Sequence, residues 1–238
     1  ATGPRVTPEE LASFHRLTGA RMFLSTVLTM YNDDKPELGL SYYERVAALQ
    51  DQGREVYIQT SCQPLSFEFN LLDPYLLYSH PSFAGIKSAD EAGKRSHYES
   101  EAFRKAFKQD LKNPGVGVLF SGRWDRIFVG HASHPKVQRF ESQSIAAIAA
   151  CCGQDPVDCF FDLALMDGLQ TEFLAQLFNA NDDGVQPLIS HRAGLITLSD
   201  AGAHSKFMCD AGYGLHFLGH WVRDRQAMSW SQGIARLT

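Results

Sequence analysis

Gly194-Leu195-Ile196-Thr197-Leu198-Ser199-Asp200 reads as a buried strand that ends in a carboxylate. Ala201-Gly202-Ala203 follows as a turn of small residues that would leave the Asp200 side chain uncovered, and His204 lies four positions on. Working outward from this strand, the spacing predicts a helix over 8–17, with Thr7 as N-cap, Glu10 at the capping-box position and Gly19 as the stop. A strand is expected over 21–28. A loop with Asp33, Asp34 and Pro36 leads to a helix over 41–52, whose apolar set is Tyr43, Val46, Ala47 and Leu49. Gly53 ends that helix, and a strand over 55–60 follows. Helix and strand alternating through short connections mark the fold class as α/β with parallel strands.

The middle of the chain is less regular. Residues 71–84 carry Pro74, Pro81 and several aromatics and read as a loop or lid. Residues 90–112 read as one charged amphipathic helix and 125–130 as a strand. Two further helices are expected, over 142–152 and 156–178, the second capped by Asp155 with Pro156 in its first turn. A closing helical region runs through Trp221, Ala227 and Ile234. No repeat or linker interrupts the sequence, so residues 1–238 are expected to form a single domain.

Composition narrows the function classes. The chain has 238 residues, 44% hydrophobic and 21% charged, which is ordinary for a globular protein. A net charge of −5 gives no electrostatic reason to expect a nucleic-acid partner. No apolar run approaches the roughly 20 residues that span a bilayer, so no membrane partner is expected. Residues 1–5 lack the apolar core of a signal peptide. Five cysteines in a spacing that suits neither zinc nor a disulfide framework point to a reducing, cytoplasmic location. Cys151 and Cys152, inside an apolar helical stretch, read as small buried hydrophobes.

Chemistry in barrels of alternating strands and helices sits at the C-terminal strand ends, which singles out Asp200. There it can ligate a metal or act as general base toward a water; it can equally cap the next helix. His204 is close enough in sequence to reach the same pocket, and both are candidate catalytic residues. His191 opens the turn before the strand and reads as structural. His216 and His220, four apart, share a helix face as zinc-binding pairs do, although packing against Trp221 explains the spacing as well. Ser199, His204 and Asp210 do not make a triad, because no nucleophile elbow surrounds Ser199. Arg123 and Arg223 are candidates for holding a substrate carboxylate bidentately, against a structural ion-pair role for each.

Several words of the sequence resemble one family. Leu198-Ser199-Asp200-Ala201-Gly202-Ala203-His204, Cys209-Asp210-Ala211-Gly212 and Leu218-Gly219-His220-Trp221-Val222-Arg223 resemble the C-terminal barrel region of the amidohydrolase-3 family, the N-acyl-D-amino-acid deacylases and their relatives. Gln59-Thr60-Ser61-Cys62-Gln63-Pro64-Leu65-Ser66-Phe67 and Ser144-Ile145-Ala146-Ala147-Ile148-Ala149 resemble blocks of the same relatives. The resemblance implies a partial TIM-type (β/α) barrel and hydrolysis of the amide C–N bond of a small-molecule N-acyl (D-)amino acid. It implies zinc or another divalent metal as cofactor, with Asp200 as metal ligand or proton carrier. The family's first-strand His-x-His does not occur in these residues, so either those ligands lie upstream of Ala1 or this branch lacks them. Half a barrel leaves sheet edges to cover, which points to a homo-oligomer or a separate N-terminal half. A non-catalytic binding domain on the same scaffold is the alternative.

Overall fold

Thr7 opens the first helix, Pro8–Thr18, with a complete capping box: its hydroxyl accepts from the Glu10 N–H, and the Glu10 carboxylate accepts from the Thr7 N–H. Gly19 closes the helix at φ 68°, a left-handed cap that glycine adopts without steric cost. A computed structural model describes residues 6–115, 118–198 and 211–238. Six strands occur among them: β1 Met22–Leu24, β2 Val56–Thr60, β3 Leu65–Phe69, β4 Ile127–His131, β5 Glu172–Phe178 and β6 Gly194–Ile196. The fold is α/β. Among the described residues the strands form two three-stranded sheets, ordered β1-β2-β6 and β3-β5-β4, and no closed barrel.

The chain divides into two compact units, Ala1–Leu65 with Phe178–Thr238, and Ser66–Leu177. In the first unit β2 pairs in parallel with both neighbours, Phe23 opposite Tyr57 and Gln59 opposite Leu195. The strands alternate: Leu24, Val56, Ile58, Thr60, Gly194 and Ile196 are buried, whereas Phe23, Tyr57, Gln59 and Leu195 are not. The buried face meets Leu11, Tyr43, Val46 and Leu188 from the helices Pro8–Thr18, Pro36–Asp51 and Asp182–Ser190. Gly194 is required where it stands, because a Cβ there would lie 2.6 Å from Thr60 Oγ1 and 2.8 Å from the Tyr43 ring.

The second unit is held by aromatic rings. Phe160 stands 4.6 Å from Phe173 and 5.2 Å from Trp124, and Phe161 stacks on Tyr98 at 5.2 Å. Such close tilted and edge contacts add to the burial of large apolar surfaces. Strand β4 runs antiparallel to β5, with a bulge between Val129 and His131.

Several elements differ from the sequence expectation. Residues 156–178 are not one helix. The helix Pro156–Met166 stops at a turn in which Gly168 and Leu169 both take φ 64°, and β5 follows. The Asp167 carboxylate fixes that turn by accepting from the N–H groups of Ser133 and His134 and from the Thr171 hydroxyl. The expected strand 21–28 shortens to β1, because Thr26 caps a 3₁₀ turn, Val27–Thr29. The helix expected over 90–112 breaks at Ser100, which caps the second piece, Glu101–Lys112, while ending the first, Glu91–Glu99. The segment 71–84, read as a loop or lid, holds the 3₁₀ turns Tyr75–Leu77 and Pro81–Phe83 and buries Leu76, Leu77 and Phe83 in the unit's core. The structure adds two elements that the sequence reading passed over, β3 and the helix Asp182–Ser190.

Candidate functional site

The C-terminal ends of a parallel sheet gather chain segments that turn away from the strands, and in the first unit Asn179 ties them together. Asn179 is buried at 3% exposure, in the left-handed region at φ 53°. Its Nδ2 donates to the Ser61 carbonyl just past β2 (3.1 Å), and its Oδ1 accepts from the Tyr31 N–H (2.8 Å). Its own N–H donates to the Tyr31 carbonyl (2.9 Å). Asparagine tolerates this backbone because its short amide bonds locally, and here each of those groups has a partner.

Two residues on, Asn181 caps the helix Asp182–Ser190. Asp182 and Asp183 occupy the first turn, where the helix dipole favours negative charge. Across from them runs the helical turn Tyr213–His216, continued by the π-helical segment Phe217–Asp224. Its wider turn, closed by the Arg225 N–H on the His220 carbonyl (2.8 Å), brings side chains four apart closer to eclipsed than an α-helix does. The His216 and His220 rings accordingly stack, 5.0 Å apart and inclined by 24°.

This segment is anchored on both sides. His220 Nε2 lies 2.8 Å from Asp182 Oδ2. Arg225 reaches Asp182 (3.6 Å) and Asp183 (2.6 Å), and its guanidinium lies 5.8 Å over the Trp221 ring. Buried Trp221 donates from Nε1 to the Cys62 carbonyl (2.7 Å) and meets His220 edge-on at 5.0 Å. The Cys62 thiol lies 3.4 Å from the Tyr213 carbonyl. Burial holds the His216 imidazole below its ordinary range, and His220 beside it pushes the same way, opposed by Asp182 and the Cys62 backbone. A carboxylate, two half-buried imidazoles and a guanidinium in one place can hold and move a proton.

The residues nominated from sequence fall differently. Asp200, His204, Ser199 and Asp210 lie outside the described residues. Leu198, two positions before Asp200 in sequence, follows β6. Arg123, in the second unit, forks onto Asp125 at 2.9 and 2.8 Å and holds that carboxyl below its usual range. Arg223, in the first unit, forks in the same way onto Asp224 at the surface, at 2.6 and 3.0 Å. His191 packs edge-on against Tyr43 at 5.5 Å and accepts from the Ala193 N–H, as a structural residue does. His216 and His220 share a face, as their spacing predicted. Asn179 and Asp182 were missed; the polar run Asn179-Ala180-Asn181-Asp182-Asp183-Gly184 after an apolar stretch was the available signal.

Among the described residues no group of three or more His, Cys, Asp or Glu side chains could hold a metal ion. The described donors therefore do not by themselves fit a metal. No helix of the described residues is long and apolar enough to cross a membrane.

No protein-family model matches the sequence, and comparison with curated proteins gives no match. Solved structures do match. One is an N-acyl-D-glutamate deacylase from Bordetella bronchiseptica, complexed with zinc and a phosphonate inhibitor; it is 16% identical at TM-score 0.44, over 100% of this chain and 39% of that one. Two others are structures of D-aminoacylase, one concerned with its binuclear metal centre, at 15% and 14% identity and TM-score 0.43, each over 97% of this chain and 37% of that one. The chain thus spans less than two fifths of the length of these enzymes, and none of its residues takes a role from them.

Proposed function

We propose that this chain is the C-terminal portion of an amidohydrolase-type enzyme that hydrolyses the amide bond of an N-acyl (D-)amino acid. The observation that carries the reading is the parallel order β1-β2-β6, with Ser25, Ser61 and Thr197 all leaving the strands at one end of the sheet. The sequence reaches Asp200 four residues past the end of β6. A carboxylate at such a strand end takes a proton from the attacking water and passes it to the leaving nitrogen, giving a carboxylate and an amine. His204, close by in sequence, is the second group for that proton. A divalent metal, zinc first, belongs to the proposal through the sequence resemblance, with Asp200 as its ligand from this chain. Arg223, in the unit that holds β6, and Arg123, in the second unit, are carried forward separately, each as a candidate partner of a substrate carboxylate. Residues forming the remainder of a TIM-type barrel, from a second copy or another chain, and a cytoplasmic location complete the proposal.

The test is release of free amine from matched panels of N-acyl-D- and N-acyl-L-amino acids by the zinc-supplied chain. Release from the D series, abolished by a chelator and restored by zinc, is the expected result. Binding of the same compounds without release would overturn the hydrolytic reading in favour of a binding domain.

A further inference from the structure

We propose that Asp182, His220 and His216 form a one-proton array that fastens the segment 213–224 to the helix Asp182–Ser190 and loosens when a second proton is taken up. The inference is independent of the proposed reaction, because it rests on described side chains alone. The two imidazoles stack at 5.0 Å, so they cannot both carry a charge without strong mutual repulsion. His220 is the ring that faces a carboxylate, its Nε2 2.8 Å from Asp182 Oδ2. His216 faces the Cys62 backbone instead, and burial favours its neutral form.

The surroundings favour this division. Facing the pair are Asp182 and Asp183 from the helix, Asp224 from the segment itself, Arg225 just past its end, and the Cys62 backbone from the chain after β2. Arg225 already draws on Asp182 and Asp183, and Arg223 neutralises Asp224, so the array holds no spare negative charge for a second imidazolium. Protonating His216 therefore sets two cations ring against ring next to Trp221, whose indole N–H holds the Cys62 carbonyl at 2.7 Å. Repulsion acts directly on the turn that presents all three side chains.

The experiment follows the imidazole carbons and the Trp221 indole N–H by NMR on the intact chain, from pH 8 to pH 4.5. His216 and His220 are expected to titrate as a coupled pair, their apparent steps separated by more than about one pH unit. The Trp221 N–H should lose its protection from exchange with the lower step only. In His216→Gln the lower step should vanish and Trp221 stay protected, and in Asp182→Asn the upper step should move down. Independent titration of the two rings in the unmodified chain would overturn the proposal. So would a Trp221 signal that does not change through the lower step. Both readings come from the unmodified chain and stand even if a variant fails to fold.

Discussion

At the scale of single residues, the buried Asn179 is the polar side chain on which the first unit most visibly depends. Asn179 holds the Tyr31 N–H and the Ser61 carbonyl. Replacing it with Ala removes both bonds and keeps a strained φ, and should cost about 2–4 kcal/mol in urea unfolding. Asn179→Gly relieves the strain alone and should recover only part of that loss. Cysteines report burial from the chemical side. Cys151 and Cys152 are exposed, whereas Cys62 and Cys159 are buried, and burial pushes the Cys159 thiol up to about 12. At pH 8 a thiol reagent should therefore label Cys151 and Cys152 well before Cys62 and Cys159, as peptide mapping would show. Buried placement of Cys151 and Cys152 was the sequence expectation; the helix Ile145–Cys152 instead turns them outward at its last two positions, with Ile145, Ile148 and Ala149 facing the core.

At the scale of elements, what was legible depended on whether the signal was local. The capping box of Thr7 and Glu10, the stop at Gly19 and the start at Pro156 were read correctly because each is a backbone hydrogen-bond problem solved within four residues. β5 was missed because the apolar pattern of the helix set by Phe160, Phe161 and Leu163 runs on into Phe173 and Leu174 in sequence; the left-handed pair Gly168 and Leu169 interrupts it. The helix Asp182–Ser190 was obscured by Pro187 in its interior, which removes one helical hydrogen bond. Spacing placed His216 and His220 on one face, but their stacking accompanies a π-helical segment that spacing does not show. Strand β6 carries the prediction at this scale. Gly194→Ala drives a methyl group against Thr60 and Tyr43 and should lower stability by about 1–3 kcal/mol, measured as a fall in the urea midpoint at unchanged slope.

At the scale of the whole molecule, the α/β class and the parallel pairing of β2 with its neighbours match the expectation, and the sheets add an antiparallel β4–β5 pair that local patterns did not foretell. The distribution of titratable groups predicts acid sensitivity. His80, His191 and His216 are all held below their ordinary range, chiefly by burial. Unfolded, each takes up a proton near pH 6.5; folded, each resists it, so the unfolded chain binds more protons as the pH falls. That contribution is complete above about pH 6.5 and is lost below it. Glu9, held low by Arg45, and Asp125, held low by Arg123, add a second loss below about pH 4. The thermal midpoint should fall from pH 7 to pH 5 and more steeply below pH 4; a midpoint that rises over the first interval would contradict these assignments.

The proposed chemistry depends on Asp200, the carboxylate that the buried strand leads to. The most direct measurement compares amine release from an N-acyl-D-amino acid by the zinc-supplied chain and by its Asp200→Asn variant, with zinc content and folding checked for both. Removing the proton carrier should lower the rate by about 10²–10⁴-fold while the fold persists. Equal rates for the two proteins would contradict the assignment.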